Sequence, residues 1–139
     1  MEKNESPSSE KAVLVAVQTP EVTDQDIEHS LAELAELAKT AGISVAGTMV
    51  QRRTHLDRNN FLGKGKMAEV SEMAEKNQAN LIITDDEMSA LQGRRMEEGI
   101  GLPVLDRTKL ILDIFAAHAS SREGKLQVEL AQLRYRLLR

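Results

Sequence analysis

Gly63-Lys64-Gly65-Lys66 has the residue types needed to meet a phosphate: glycines that let the backbone come close, and ammonium groups that carry charge. With Met67 and Ala68 the run matches G-x-G-x-x-A, the turn that seats a pyrophosphate in dinucleotide-binding folds. Asp85 follows Gly65 by 20 residues, the spacing of a ribose-binding acid. That fingerprint must follow its strand directly, so that phosphate lands on the helix N-terminus. Here the polar loop His55–Leu62 intervenes, in the second βα unit rather than the first. A glycine turn entering a helix is the favoured reading. An RNA phosphate held by Gly63, Gly65, Lys64 and Lys66 stays open beside it. None of the pairs Gly63-Lys64, Gly65-Lys66 and Gly124-Lys125 sits in a G-x-x-x-x-G-K-[ST] run, so the chain lacks the cradle of a P-loop GTPase or ATPase.

Other chemistry is sparse. Asp85-Asp86-Glu87 follows a predicted strand, at the edge where open α/β sheets bind ligands. Asp85 and Asp86 are weak Mg²⁺ candidates; negative charge at the start of the next helix is the plainer reading. His29, His55 and His118 stand apart in sequence, and His118 reads as a core-edge histidine one turn after Ile114. With no cysteine, disulfides, thiolate catalysis and zinc-finger sites are excluded, and no Ser-His-Asp set has defensible spacing. Aromatics are 2%, too few for stacking platforms that bind single-stranded nucleic acid.

Charge is unevenly placed. The net charge is −4, and residues 1–50 alone carry −6. Residues 51–66 carry +4 through Arg52, Arg53, Arg58, Lys64 and Lys66 against Asp57, and residues 120–139 carry +3, with Arg122 and Lys125 at their start. An acidic protein with two local basic segments can meet phosphate at those segments.

These groups need a scaffold, and 139 residues, 41% hydrophobic and 29% charged, suit one domain with an aliphatic core. Residues 1–10 lack an apolar stretch and read as a disordered lead-in, not a secretory signal; the longest apolar run, Ala12–Val17, is too short to span a bilayer. Cytoplasmic location is the expectation. Lys11–Val17 predicts a strand buried on both faces. A helix starts at Thr23, carries Ile27, Leu31, Leu34 and Ala38, and stops at Gly42. Ile43–Val50 predicts a second strand, Lys66 to Asn77 a helix with Met67, Val70 and Ala74 inward, and Leu81–Thr84 a third strand. Ser89-Ala90-Leu91-Gln92 is a capping box; Gly99 and Gly101 end the helix it opens. Pro103–Leu105 predicts a fourth strand, and Thr108 to Ala119 a helix carrying Leu110, Ile111, Ile114 and Phe115. The alternation predicts an α/β fold, a parallel sheet of about four strands with helices on its faces, over residues 11–119.

Residues 120–139 differ. Leu126, Leu130, Leu133 and Leu137 keep 4-3-4 spacing, a two-heptad seam. Burying four leucines stabilises by roughly 6–12 kcal/mol, so the seam needs a partner. A helix beyond Arg139, or a second chain in a homodimer, is expected to supply it.

Several stretches together resemble one family. Phe61-Leu62-Gly63-Lys64-Gly65-Lys66 is similar to its aromatic-aliphatic-Gly-x-Gly-Lys segment, and Asp85-Asp86-Glu87-Met88-Ser89 to its "DDELS". Residues 104–115, VLDRTKLILDIF, and 121–133, SREGKLQVELAQL, resemble its longest and most specific motifs. The family is the HflX group of ribosome-associated GTPases, and the resemblance, over about residues 11–139, is to its N-terminal region. The chain departs from the pattern at Asp57-Arg58-Asn59-Asn60, which has no proline, and at His118, where Arg is usual. The resemblance implies an α/β subdomain, then a two-helix arm of which residues 120–139 are the first helix, then a GTPase domain that uses GTP and Mg²⁺. It implies binding to the large ribosomal subunit and its rRNA, and ribosome splitting. On this reading Arg52, Arg53, Arg58, Lys64, Lys66, Arg122 and Lys125 position phosphates, and the chain itself is non-catalytic. The rival is an autonomous α/β nucleotide binder or enzyme using Gly63–Lys66 with Asp85 and Asp86.

Overall fold

The computed structural model describes residues 10–119 and 122–138. The expected lead-in therefore lies outside the described residues, apart from Glu10. β-Branched and small apolar residues put β1 (Lys11–Gln18) at the centre of the sheet, with Ala12 to Gln18 all buried. α1 (Asp24–Thr40), β2 (Ser44–Arg52), α2 (Lys64–Lys76), β3 (Leu81–Thr84), α3 (Ala90–Ile100), β4 (Val104–Asp106), α4 (Arg107–His118) and α5 (Arg122–Leu137) follow. All four strands are parallel, in the order β2-β1-β3-β4. The α/β architecture ending in a helix is as expected.

Alternation along β1 splits the core in two. Val13, Val15 and Val17 face Met67, Val70, Ala74, Met96 and Ile100 of α2 and α3. Ala12 and Leu14 face Leu34 and Ala38 of α1 and Leu110 of α4. Thr23 and Ser89 each close a capping box, with Asp26 and Gln92. Ser89→Ala is expected to cost about 1 kcal/mol of unfolding free energy, read by denaturant titration; a loss below about 0.3 kcal/mol would show that the cap is idle.

Several boundaries differ from expectation. β2 extends to Arg52 because Arg53 N–H still bonds the Gln18 carbonyl at 3.0 Å. α2 starts at Lys64, with Gly63 as its N-cap. α4 starts at Arg107 because the Asp106 carboxylate caps Lys109 N–H at 2.9 Å. Gly99 does not end α3; Gly101, with φ of 88°, does. Gly99 lies inside the helix, where a Cβ would stand 2.7 Å from the Met67 sulfur, so its role is close helix–helix approach. Phe115 is exposed and not part of the α4 stripe.

Candidate functional site

In a parallel sheet all strand C-termini lie along one edge. The chain crosses from β1 to β2 on one side and then from β2 back past β1 to β3 on the other, so the crevice between the ends of β1 and β3 is where an open α/β sheet takes ligand. Here that mouth is occupied by the protein's own charges. Asp85 N–H bonds the Val15 carbonyl at 2.8 Å, and its buried carboxylate takes Arg107 Nη1 at 2.7 Å and the Ser30 hydroxyl at 2.5 Å. Arg107 also reaches Glu33 at 2.8 Å. The Asp86 carboxyl is pushed above its ordinary range, first by burial and then by the neighbouring Asp85 charge, while Val17 N–H and Arg107 oppose the shift. Asp85 thus does not serve the start of α3, whose first turn holds no acid; it locks α1 to α4. Among the described residues no group of three His, Asp or Glu side chains could hold a metal ion.

The Gly-Lys run sits along the same edge, where β2 hands over to α2. Gly63 N–H is taken by Gln51 Oε1 at 2.9 Å. Gly65 faces open space, since a Cβ there would meet nothing within 4 Å. Lys64 is exposed, while Lys66 pairs with Glu69 at 3.1 Å. Arg53 spends its guanidinium on the carbonyls of Asn60 and Phe61, at 2.8 and 3.0 Å, and so clamps the loop instead of facing solvent. Arg52 is exposed and pairs with Asp24 at 2.9 Å; Gln18, before Arg52, holds the Asp24 carboxyl below its usual range. Arg58 stands exposed. Arg52, Arg53 and Thr54 line one wall of a cleft of about 560 Å³ whose other wall is Gln18 to Pro20 and Val22 to Asp24.

α5 returns antiparallel to α4. Its half-buried residues Gly124, Val128, Ala131 and Tyr135 share one face and turn toward α4. Gln132 bonds Asp113 at 3.2 Å. Tyr135 hydrogen-bonds Asp106, which is 2% exposed and also accepts Met88 N–H at 3.2 Å. The leucine seam lies two residues out of phase, on the other side of the helix. Leu126, Leu130, Leu133 and Leu137 are 58, 50, 43 and 75% exposed. The seam is therefore not folded against the sheet. Because α4 runs from the C-terminal edge toward Glu10, Gly42 and Ile43, Arg122 and Lys125 start α5 at the opposite end from Arg58 and Lys64. The two basic segments form two poles and not one patch. His118 is exposed, its Nδ1 2.8 Å from the Ile114 carbonyl oxygen.

Sequence reasoning missed the roles of Asp106, Arg107, Ser30, Glu33 and Tyr135. Only Asp106 left a signal, a capping acid between strand and helix. Tyr135 is the chain's one tyrosine and there is no tryptophan, so its near-ultraviolet titration reports it alone. Burial, then the Asp106 hydrogen bond and the charges of Asp106 and Asp113, push its hydroxyl above the ordinary value of 10. A raised pKa in the folded state means that the stability it contributes is present below pH 10 and is lost as pH rises beyond it. The native phenolate midpoint is expected well above 10; a midpoint near 10 would show α5 detached.

The match to known proteins fits this geometry. Residues 28–116 match the family model described as GTP-binding GTPase N-terminal. The chain is 48% identical over 130 residues to a protein named GTPase HflX from Alkalihalophilus pseudofirmus, covering 94% of this chain and 30% of the relative. It is 39% identical over 128 residues to the GTPase HflX of Escherichia coli, covering 92% and 29%. The chain thus spans under a third of the length of these relatives. A crystal structure of a protein called SsGBP, variant G235S, superposes with a TM-score of 0.67 at 25% identity, over 92% of this chain and 39% of that one.

Proposed function

This chain belongs to the family of GTP-binding GTPase N-terminal domains, in the form that opens HflX-like proteins, and from that premise we propose that it is their ribosome-gripping, regulatory module. It contacts rRNA of the large subunit in the cytoplasm and works with a GTPase domain that supplies GTP and Mg²⁺ chemistry for splitting ribosomes. The residues present do not fit that nucleotide: the sequence has no P-loop run, and the sheet's crevice is closed by Asp85 and Arg107. No step of GTP hydrolysis is assigned to this chain.

The observation that carries the reading is the division of its surface: the ligand crevice is filled, while cations stand exposed at two poles. Arg58 and Lys64 at one pole, and Arg122 and Lys125 at the other, have no ion pair among the described residues and serve as the leading phosphate contacts. Arg52 and Lys66 join them by exchanging Asp24 and Glu69 for phosphate. Arg53 contributes through the loop it clamps, and open Gly65 lets a phosphate approach the start of α2. The leucine seam receives the second helix of the arm. No helix among the described residues is long and apolar enough to cross a membrane.

Titration of the chain with guanine and adenine nucleotides tests this reading against an autonomous nucleotide binder. No saturable binding is expected up to millimolar concentrations. Micromolar binding that Lys66→Ala abolishes would overturn it in favour of the rival.

A further inference from the structure

The two edges of the sheet are treated differently. β4 is three residues long, Glu97 caps its Val104 N–H at 3.0 Å, and Tyr135 lies beside it. β2 is nine residues long, and no charge or proline interrupts Ser44–Gln51. Long edges without lysine, proline or cover are templates for strand pairing, and proteins guard against it. Among the described residues the guard on β2 is a bulge at Ala46, where the register with β1 shifts; from Gly47 to Arg52 the ladder is regular. Arg53 N–H points inward to Gln18, so alternation turns the N–H groups of Thr48, Val50 and Arg52 outward. Among the described residues β2 pairs with β1 alone.

We propose that the β2 edge is an interface for a second copy of this chain, pairing antiparallel about a two-fold axis beside Val50 to give a continuous eight-stranded sheet. That register sets Val50 opposite its counterpart and Thr48 opposite Arg52 of the other copy, so all three outward residues find partners within the regular stretch. A second copy suits this edge because an uncharged run meets no like charge when it faces itself. The one charge at its end, Arg52, is already balanced by Asp24. Pairing Val50 with its counterpart and Thr48 with Arg52 would bury side chains that now stand at the edge. This association is separate from the leucine seam, and of the phosphate-contacting residues it involves Arg52 alone.

Sedimentation velocity across a hundredfold concentration range, on the 139-residue chain carrying Leu130→Glu to silence the seam, tests it. A reversible dimer is expected, with slowed amide exchange at Thr48 and Val50. Thr48→Lys, at an exposed side chain, sets like charges opposite each other twice and is expected to weaken the dimer about tenfold. Val50→Pro, which removes an outward donor, is expected to abolish it. Unchanged circular dichroism in Thr48→Lys separates loss of pairing from loss of fold. A monomer at every concentration, or a dimer indifferent to both substitutions, would overturn the proposal.

Discussion

Arg107→Ala is expected to destabilise the fold by about 3 kcal/mol, because it strands a buried carboxylate. Asp85 is 8% exposed, and Arg107 is its cationic partner at 2.7 Å, with Ser30 supplying the other side-chain bond. For a chain of this length the loss should lower the melting temperature by about 6–12 °C. Arg107→Ala combined with Asp85→Asn should recover part of it, since the amide carries no charge to strand. A loss under about 1 kcal/mol would mean that the pair behaves as a solvent-screened surface bridge, and the crevice would then have to be regarded as open.

The second large effect concerns affinity. If Arg58, Lys64, Arg122 and Lys125 each neutralise a phosphate, these four contribute about 3.6 to the slope with which the logarithm of the rRNA association constant falls with log salt. Raising salt from 50 to 200 mM should then weaken binding by about two orders of magnitude. Replacing all four by Ala should remove that share of the slope and leave only what Arg52 and Lys66 contribute. Because the two pairs sit at opposite ends of the domain, each pair alone should remove about half of that share. A slope unchanged in the fourfold variant would move the RNA contact elsewhere.

What was legible in the sequence follows the range of the forces involved. β1 was readable because a strand buried on both faces must be apolar throughout. The capping box at Ser89 was readable because Gln92 lies three residues away, while at Thr23 the sequence marks the helix start and the structure adds the box with Asp26. The leucine seam was legible as a face, and the structure shows it exposed. The ion-pair lock was not legible: Ser30 and Asp85 are 55 positions apart, and Arg107 and Glu33 are 74 apart, so only the strand order brings them together. Strand order also decides that β2 is an edge, which no local pattern announces. The status of each basic residue was hidden for the same reason. Arg53 and Arg58 look equivalent in sequence, yet one is anchored to carbonyls of its own loop and the other stands exposed. Gly99 reads as a stop in the sequence because its reason, the Met67 sulfur, belongs to another helix.

Cosedimentation of this chain with isolated large ribosomal subunits, in parallel with a GTP turnover assay, tests the central claim most directly. The chain should pellet with the subunit at low salt, release as salt rises, lose affinity in the fourfold cation variant, and hydrolyse no GTP. Failure to pellet at low salt, or nucleotide turnover by the chain alone, would contradict the account of a grip without a motor.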